Sequence, residues 1–375
     1  MAKDLIVYDF ESFYDSKIKL GFKHQTTQQY LDDPRFEVIG VGVKLNAEPT
    51  QWFSGTHDEL RIWFQQFPWG NAIAVAHNAM FDASILTWHF GIKPFLHADT
   101  LAMGAALHGT SVGGSLRALG DHYGVGEKGH EVVLAEGKRR VDFSEEELAR
   151  YGAYCINDVD MTHALFTRMA PMFNKTEMRL IDMTVRMHSE PAFELDVAVL
   201  EDHLHTIRGQ KALLLMASSA DQKTLMSNEK LAEFLRSQGV QPPVKMSKTT
   251  GKLTYAFAKT DEPFKELLEH PSIEVQAAVA ARLGVKSTLE ETRTERFIDI
   301  ANAGGALPVP LKYYGAVTGR WAASDKTNLQ NIPRGSRLKE AIRAPEGFMV
   351  VGSDLSNIEL RMGLYFANQM DKLKL

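Results

Sequence analysis

Short apolar runs punctuated by turn residues dominate the first part of the chain. Asp4-Leu5-Ile6-Val7-Tyr8-Asp9-Phe10-Glu11 is such a run with two acids near its end, and it predicts a short buried strand. Residues 35–43 predict a second strand, and residues 71–76 a third that feeds a turn at His77-Asn78. A helix is then expected over 79–89, with Phe81, Ile85 and Trp88 as its inward stripe. Ser144 and Glu147 form a capping box that opens a helix over 145–169. Beyond it Pro191 interrupts a preceding helix, and Asp196 caps a long one through roughly Met216. Another helix covers 229–237 and stops at Gly239, a last one covers 273–292, and a strand returns at 348–354. The pattern predicts an α/β fold whose strands and helices mix at the start and whose middle is helical.

A chain of 375 residues is long enough for two or three domains, each with its own core. The single cysteine, Cys155, rules out an internal disulfide and fits a reducing, cytoplasmic compartment. No apolar run reaches membrane-spanning length and the first residues lack a signal-peptide pattern, so no membrane partner is expected. The net charge of −5 does not advertise a nucleic-acid binder. Locally the balance reverses: between Lys312 and Arg343 the basic residues Lys312, Arg320, Lys326, Arg334, Arg337, Lys339 and Arg343 outnumber the acids. Such an excess suits a duplex backbone, although most basic runs are solvated faces.

The chemistry concentrates on acids. Side chains alternate across a strand, so Asp9 and Glu11 point to one face, one pleat apart, and repel unless a cation sits between them. Asn78 and Asp82 are four apart and both face the loop end of the strands, and Tyr154 and Asp158, also four apart, share a helix face. Asp160 points elsewhere and reads as surface, and Asp99 and His77 read as structural. Alone, each motif is more often a cap or a packed side chain. In this order, Asp9-Phe10-Glu11, Asn78-Ala79-Met80-Phe81-Asp82 and Tyr154-Cys155-Ile156-Asn157-Asp158 resemble the tyrosine branch of the DEDD exonuclease superfamily. The resemblance implies a ribonuclease H-like domain in which Asp9, Glu11, Asp82 and Asp158 hold two divalent ions, Mg²⁺ or Mn²⁺. It further implies that Tyr154 orients the attacking water and that Asn78 and Phe81 contact a single-stranded 3′ end. A hydroxyl with an ordinary pKa near 10 is a poor base at neutral pH, so positioning is the expected role of Tyr154.

A second resemblance rests on Thr318-Gly319-Arg320, on Asn328-Leu329-Gln330-Asn331-Ile332-Pro333 and on Asp354-Leu355-Ser356-Asn357-Ile358-Glu359-Leu360-Arg361. These resemble family A, DNA polymerase I-like enzymes, whose members carry such an exonuclease upstream. The resemblance implies polymerase metals on Asp354, ribose discrimination by Glu359, and a primer–template duplex contacted by Arg320, Gln330, Asn331 and, more loosely, Lys286. It divides the chain into an exonuclease domain (1–190), a helical thumb-like region (191–300) and the first part of a palm (301–375). The sequence starts directly at the nuclease, as in phage-type members, and ends shortly after Asp354, without the fingers or the second catalytic aspartate. The expectation is therefore a 3′–5′ proofreading exonuclease joined to part of a replicative polymerase, in a bacterial or phage-infected cell. A companion polypeptide would be needed to polymerise, because one aspartate is half of a two-metal clamp. The competing readings are a free-standing exonuclease on DNA or RNA, and a non-catalytic duplex-binding subunit.

Overall fold

The computed structural model describes residues 3–129, 135–247, 249–285, 289–354 and 356–374. Lys286, assigned above to duplex contact, lies outside these. The N-terminal part is built on a five-stranded sheet: β1 (Asp4–Ser12), β2 (Val38–Leu45), β3 (Gln51–Phe53), β4 (Ala72–Ala76) and β5 (Leu96–Asp99), in the order β3-β2-β1-β4-β5. The β1, β2 and β3 strands are antiparallel neighbours, whereas β4 and β5 run parallel to β1. Mixed pairing puts β1 in the middle, buried on both faces, which is why its sequence reads as a nearly continuous apolar run. Ile6, Tyr8 and Phe10 pack into one core with Phe64, Trp69 and Phe90. Val7 packs into the other, with Val75, Ala98 and Val159. By alternation Asp9 and Glu11 share the face of Val7.

That face is covered by the helix Glu145–Met169, which starts at the expected capping box: Glu147 N–H donates to Ser144 Oγ at 3.2 Å, and Glu147 Oε2 accepts from Ser144 N–H at 3.0 Å. Its approach depends on glycine. Asp9 lies opposite Gly42 of β2, and a Cβ on Gly42 would stand 3.0 Å from both Cys155 Sγ and Val159 Cγ2. The missing side chain lets the helix settle beside the acids of β1.

After β4 the chain turns through Asn78, whose φ of +67° lies in the left-handed region that Asn tolerates better than most residues. The expected helix is divided: α-helical from Met80 to Ser84 and a wider π-type turn from Ile85 to His89. A helix over Lys175–Ser189 ends before Pro191. The helix capped by Asp196 runs from Val197 to Ala217, with Val199 N–H donating to the cap. The shorter one spans Asn228–Ser237. In place of one helix over 273–292, two are described, Ile273–Val285 and Leu289–Asn302. Leu225, Leu231, Leu235, Phe264, Val275 and Val279 form the core of the helical part. Arg282 is fully buried there, donating to the carbonyl of Leu225 and to Asn228. Leu200, Phe297, Ile300, Leu307 and Leu338 form a further core. No helix among the described residues is long and apolar enough to cross a membrane.

One expectation fails outright. Residues 348–354 form no strand; Phe348, Met349, Val350 and Val351 are between 60 and 82% exposed in irregular chain. A strand exists through its ladder, and no neighbouring strand among the described residues offers one, so β-propensity alone does not order this run.

The close approach at Gly42 is testable. Gly42→Val should lower the urea midpoint, costing about 1–3 kcal/mol as the helix is forced off the sheet. An unchanged midpoint would mean that the contact tolerates a side chain.

Candidate active site

The sheet and the helix deliver four carboxylates to one place. Asp9 and Glu11 come from the end of β1, Asp82 from the turn of helix after β4, and Asp158 from the long helix. The side chains of Asp9, Glu11 and Cys155 can present one ligand atom each within 4.8 Å of one another. Glu11, Asp82 and Asp158 are each no more than 6% exposed. Burial, and then the nearby Asp158, push the Asp9 carboxyl up to about 7. Burial and Asp9 raise both Glu11 and Asp82 well above the carboxylate range. Asp9 is thus within electrostatic reach of each of the other three acids.

Hydrogen bonds hold each acid in its orientation. Asp82 Oδ1 accepts from the backbone N–H of Phe10 at 2.9 Å, tying the helical turn to β1. The Tyr151 hydroxyl donates to Glu11 Oε2 at 2.5 Å. Cys155 Sγ donates toward the carbonyl oxygen of Asp9 at 3.4 Å. The Lys128 ammonium is ion-paired with Asp158 Oδ2. Tyr154, 6% exposed, shares a hydrogen bond with Asp158, and burial together with Asp158 raises its hydroxyl far above the tyrosine norm. Tyr151, Tyr154 and Asp158 lie three and four residues apart, on one face of their helix. Tyr151 was therefore legible from helical spacing and was missed. Lys128 was not, since it arrives on an irregular segment after the helix Leu116–Tyr123.

The remaining predicted residues fall in two other places. Phe81 is packed edge-on against Phe22 at 4.6 Å and stacked over Tyr30 at 6.0 Å. With Asn78 it lines a cavity of about 250 Å³, whose far wall is Tyr313, Ser324 and Asp325. Asn78 lies in the turn ahead of the helix, not on it, and its N–H donates to Asp99 Oδ1 at 2.9 Å. Asp99 also accepts from Leu101 N–H and starts the next helix, and His77 bonds Thr100 Oγ1, so both serve the local fold. Asp354, Glu359, Arg320, Gln330 and Asn331 do not join the acid cluster. Asp354 is exposed, and Arg320 lies 3.7 Å from Glu359 with both side chains in solvent. Gln330 Nε2 donates to the Trp321 carbonyl, and Asn331 N–H to Asn328 Oδ1. The basic stretch is partly consumed inside the chain: Arg337 pairs with Asp202 and Glu340, Arg343 with Asp196, and Lys326 donates to the carbonyls of Lys23 and Gln25.

Four carboxylates gathered near the end of β1 suit divalent cations that prefer hard oxygen ligands, and the charge of Asp158 adds to burial in raising the proton affinity of Asp9. Asp9→Asn removes one of the repelling charges. It should raise the urea midpoint at pH 8 in the presence of EDTA and abolish the stabilisation that Mn²⁺ gives the unaltered protein. Equal responses of the two proteins to Mn²⁺ would separate Asp9 from cation binding.

No protein-family profile matches the chain. DNA polymerase I of Pseudomonas aeruginosa is 27% identical over 255 residues, which cover 63% of this chain and 27% of that relative, so the match spans about a quarter of its length. Among solved structures, the POL domain of Pol1 from M. smegmatis, in complex with DNA primer-template and dNTP, superposes with a TM-score of 0.57 at 16% identity. That superposition covers 98% of this chain and 59% of the other. The chain is homologous to DNA polymerase I and shares the fold of a polymerase domain.

Proposed function

We propose that the N-terminal part of this chain is a two-metal 3′–5′ exonuclease of the tyrosine DEDD type, and that the part after residue 301 belongs to a family A polymerase palm. The observation that carries the first claim is the convergence of Asp9, Glu11, Asp82 and Asp158 from three separate elements. A purely structural role does not account for this gathering of acids, in which the proton affinities of Asp9, Glu11 and Asp82 are all raised by burial and by a neighbouring carboxylate. The strand order, three antiparallel strands continued by two parallel ones, also fits a ribonuclease H-like domain.

Phosphodiester hydrolysis needs a nucleophile brought to an anionic phosphorus and a stabilised leaving oxyanion. Two divalent ions about 4 Å apart supply both when bound. Asp9, Glu11, Asp82 and Asp158 would hold the ions. Asp82 is fixed by the N–H of Phe10 and Glu11 by the hydroxyl of Tyr151, so neither carboxylate needs to reorganise. Tyr154 keeps its proton at neutral pH and would orient water through its hydroxyl rather than act as the base. Phe81, next to Asp82 in the chain, and Asn78 line a cavity and would receive the terminal nucleotide of a single-stranded 3′ end.

The polymerase reading rests on the homology and on the Asp354 and Arg320 motifs. It fits the exposed apolar run 348–351, which a polymerase palm sheet would cover. That sheet is to be supplied by further polypeptide, in the same chain or in a companion. Binding to a primer–template duplex is part of this reading.

Incubation with 3′-ended single-stranded DNA and Mg²⁺ or Mn²⁺ should release mononucleotides, with no release in EDTA. Asp9→Ala should reduce the rate by about 100-fold or more. Tyr154→Phe should lower kcat with little change in KM. Metal-dependent release that survives Asp9→Ala would place the reaction elsewhere.

A further inference from the structure

Nothing in the acid motifs points to a basic side chain, yet the structure puts one beside them. Lys128 lies on neither the strand nor the helices that bear the acids. Its segment is tied down from two sides: Arg117 Nη2 donates to the Lys128 carbonyl at 3.0 Å, and Asn157 Nδ2 donates to the Glu127 carbonyl at 3.0 Å. Asn157 immediately precedes Asp158, so the same helix turn fixes both the carboxylate and the backbone beside its counter-charge. The ammonium contacts Asp158 and stands 5.3 Å from the ring centroid of Tyr154. The Asp158 side chain is 5% exposed, whereas that of Lys128 is 30% exposed. The lysine thus reaches inward from the surface and has a way back out.

We infer that Lys128 is a built-in competitor for the cation site: its ammonium occupies the Asp158 carboxylate, and a divalent ion must displace it to bridge Asp158 and Asp9. The inference rests on the metal-site reading given above. A lysine suits the task because its charge is a compact point on a flexible four-carbon stem, which can withdraw into water without breaking backbone contacts. Its single charge offsets part of the repulsion among the four acids, so the site stays assembled at low metal. The double charge of a metal ion wins once its concentration is sufficient. The residue is therefore a positioning residue that sets a metal threshold, and not a ligand.

A purely structural ion pair would behave differently. Loss of Lys128 would then weaken the fold equally with and without metal, and the affinity for metal would not rise. The test is calorimetric titration of the full chain with Mn²⁺ at pH 8, comparing the unaltered protein with Lys128→Met and Lys128→Arg, with urea midpoints measured in EDTA and in saturating Mn²⁺. The first Mn²⁺ should bind about tenfold more tightly to Lys128→Met, equivalent to about 1.4 kcal/mol, whereas Lys128→Arg stays near the unaltered value. Lys128→Met should be less stable in EDTA and regain its midpoint in Mn²⁺. Lys128→Gln carries the same expectations and serves if the methionine variant does not fold. Unchanged or weaker Mn²⁺ binding by the uncharged variants, with the unaltered protein binding normally, overturns the inference alone. Failure of the unaltered protein to bind Mn²⁺ overturns it together with the metal-site reading.

Discussion

Carboxylates repel, and a buried group of four is tolerated only if positive charge comes to meet it. Much of the N-terminal architecture serves that constraint. Asp9 and Glu11 lie opposite Gly42 and Gly40 of β2, so they cannot turn away to solvent without breaking that ladder. The long helix brings Asp158 and Tyr154 onto the same face, with glycine at position 42 making room for its approach. Asp82 is held to β1 by a backbone hydrogen bond, and Lys128 supplies a counter-charge from the surface. Burying the acids costs stability, and these contacts offset part of that cost while keeping the acids close.

Specific contacts join the acid-bearing N-terminal part to the C-terminal segment. Asp325 accepts from the N–H of Thr27 and lies 3.8 Å from the buried ring of His188, whose other nitrogen is hydrogen-bonded to Ser84. Ser84 ends the helical turn that carries Asp82. Trp321 Nε1 donates to Thr184 Oγ1 at 2.9 Å, on the helix that comes after the acid-bearing one. The segment containing the Arg320 motif is thus packed against the N-terminal part, and the cavity beside Phe81 takes walls from both.

How far the sequence could be read depended on whether local pattern decides the structure. Three of the five strands of the sheet, the capping box at Ser144 and the helix capped by Asp196 were legible because periodicity and caps are local, whereas the short β3 and β5 were missed. The four acids were legible as motifs, and alternation alone put Asp9 and Glu11 on one face. Tyr151 was within reach of helical spacing. Lys128 had no such signal, because only tertiary structure brings an irregular segment to Asp158. The run 348–351 misled for the opposite reason: its composition is that of a strand, but a strand needs a partner that local pattern does not provide. Likewise the basic residues after 312 suggested an open stripe, whereas Arg337 and Arg343 are drawn to acids of the helical part that are distant in sequence.

The central claim is that these carboxylates grip a pair of cations next to a DNA 3′ end. Its most direct test is a crystal structure with Mn²⁺ and a single-stranded oligonucleotide bearing a phosphorothioate at its last linkage, with manganese located by anomalous scattering. The account predicts two peaks about 4 Å apart among Asp9, Glu11, Asp82 and Asp158, with the terminal nucleotide beside Phe81. Manganese absent from those four side chains while bound elsewhere, or a 3′ end seated away from them, would contradict it.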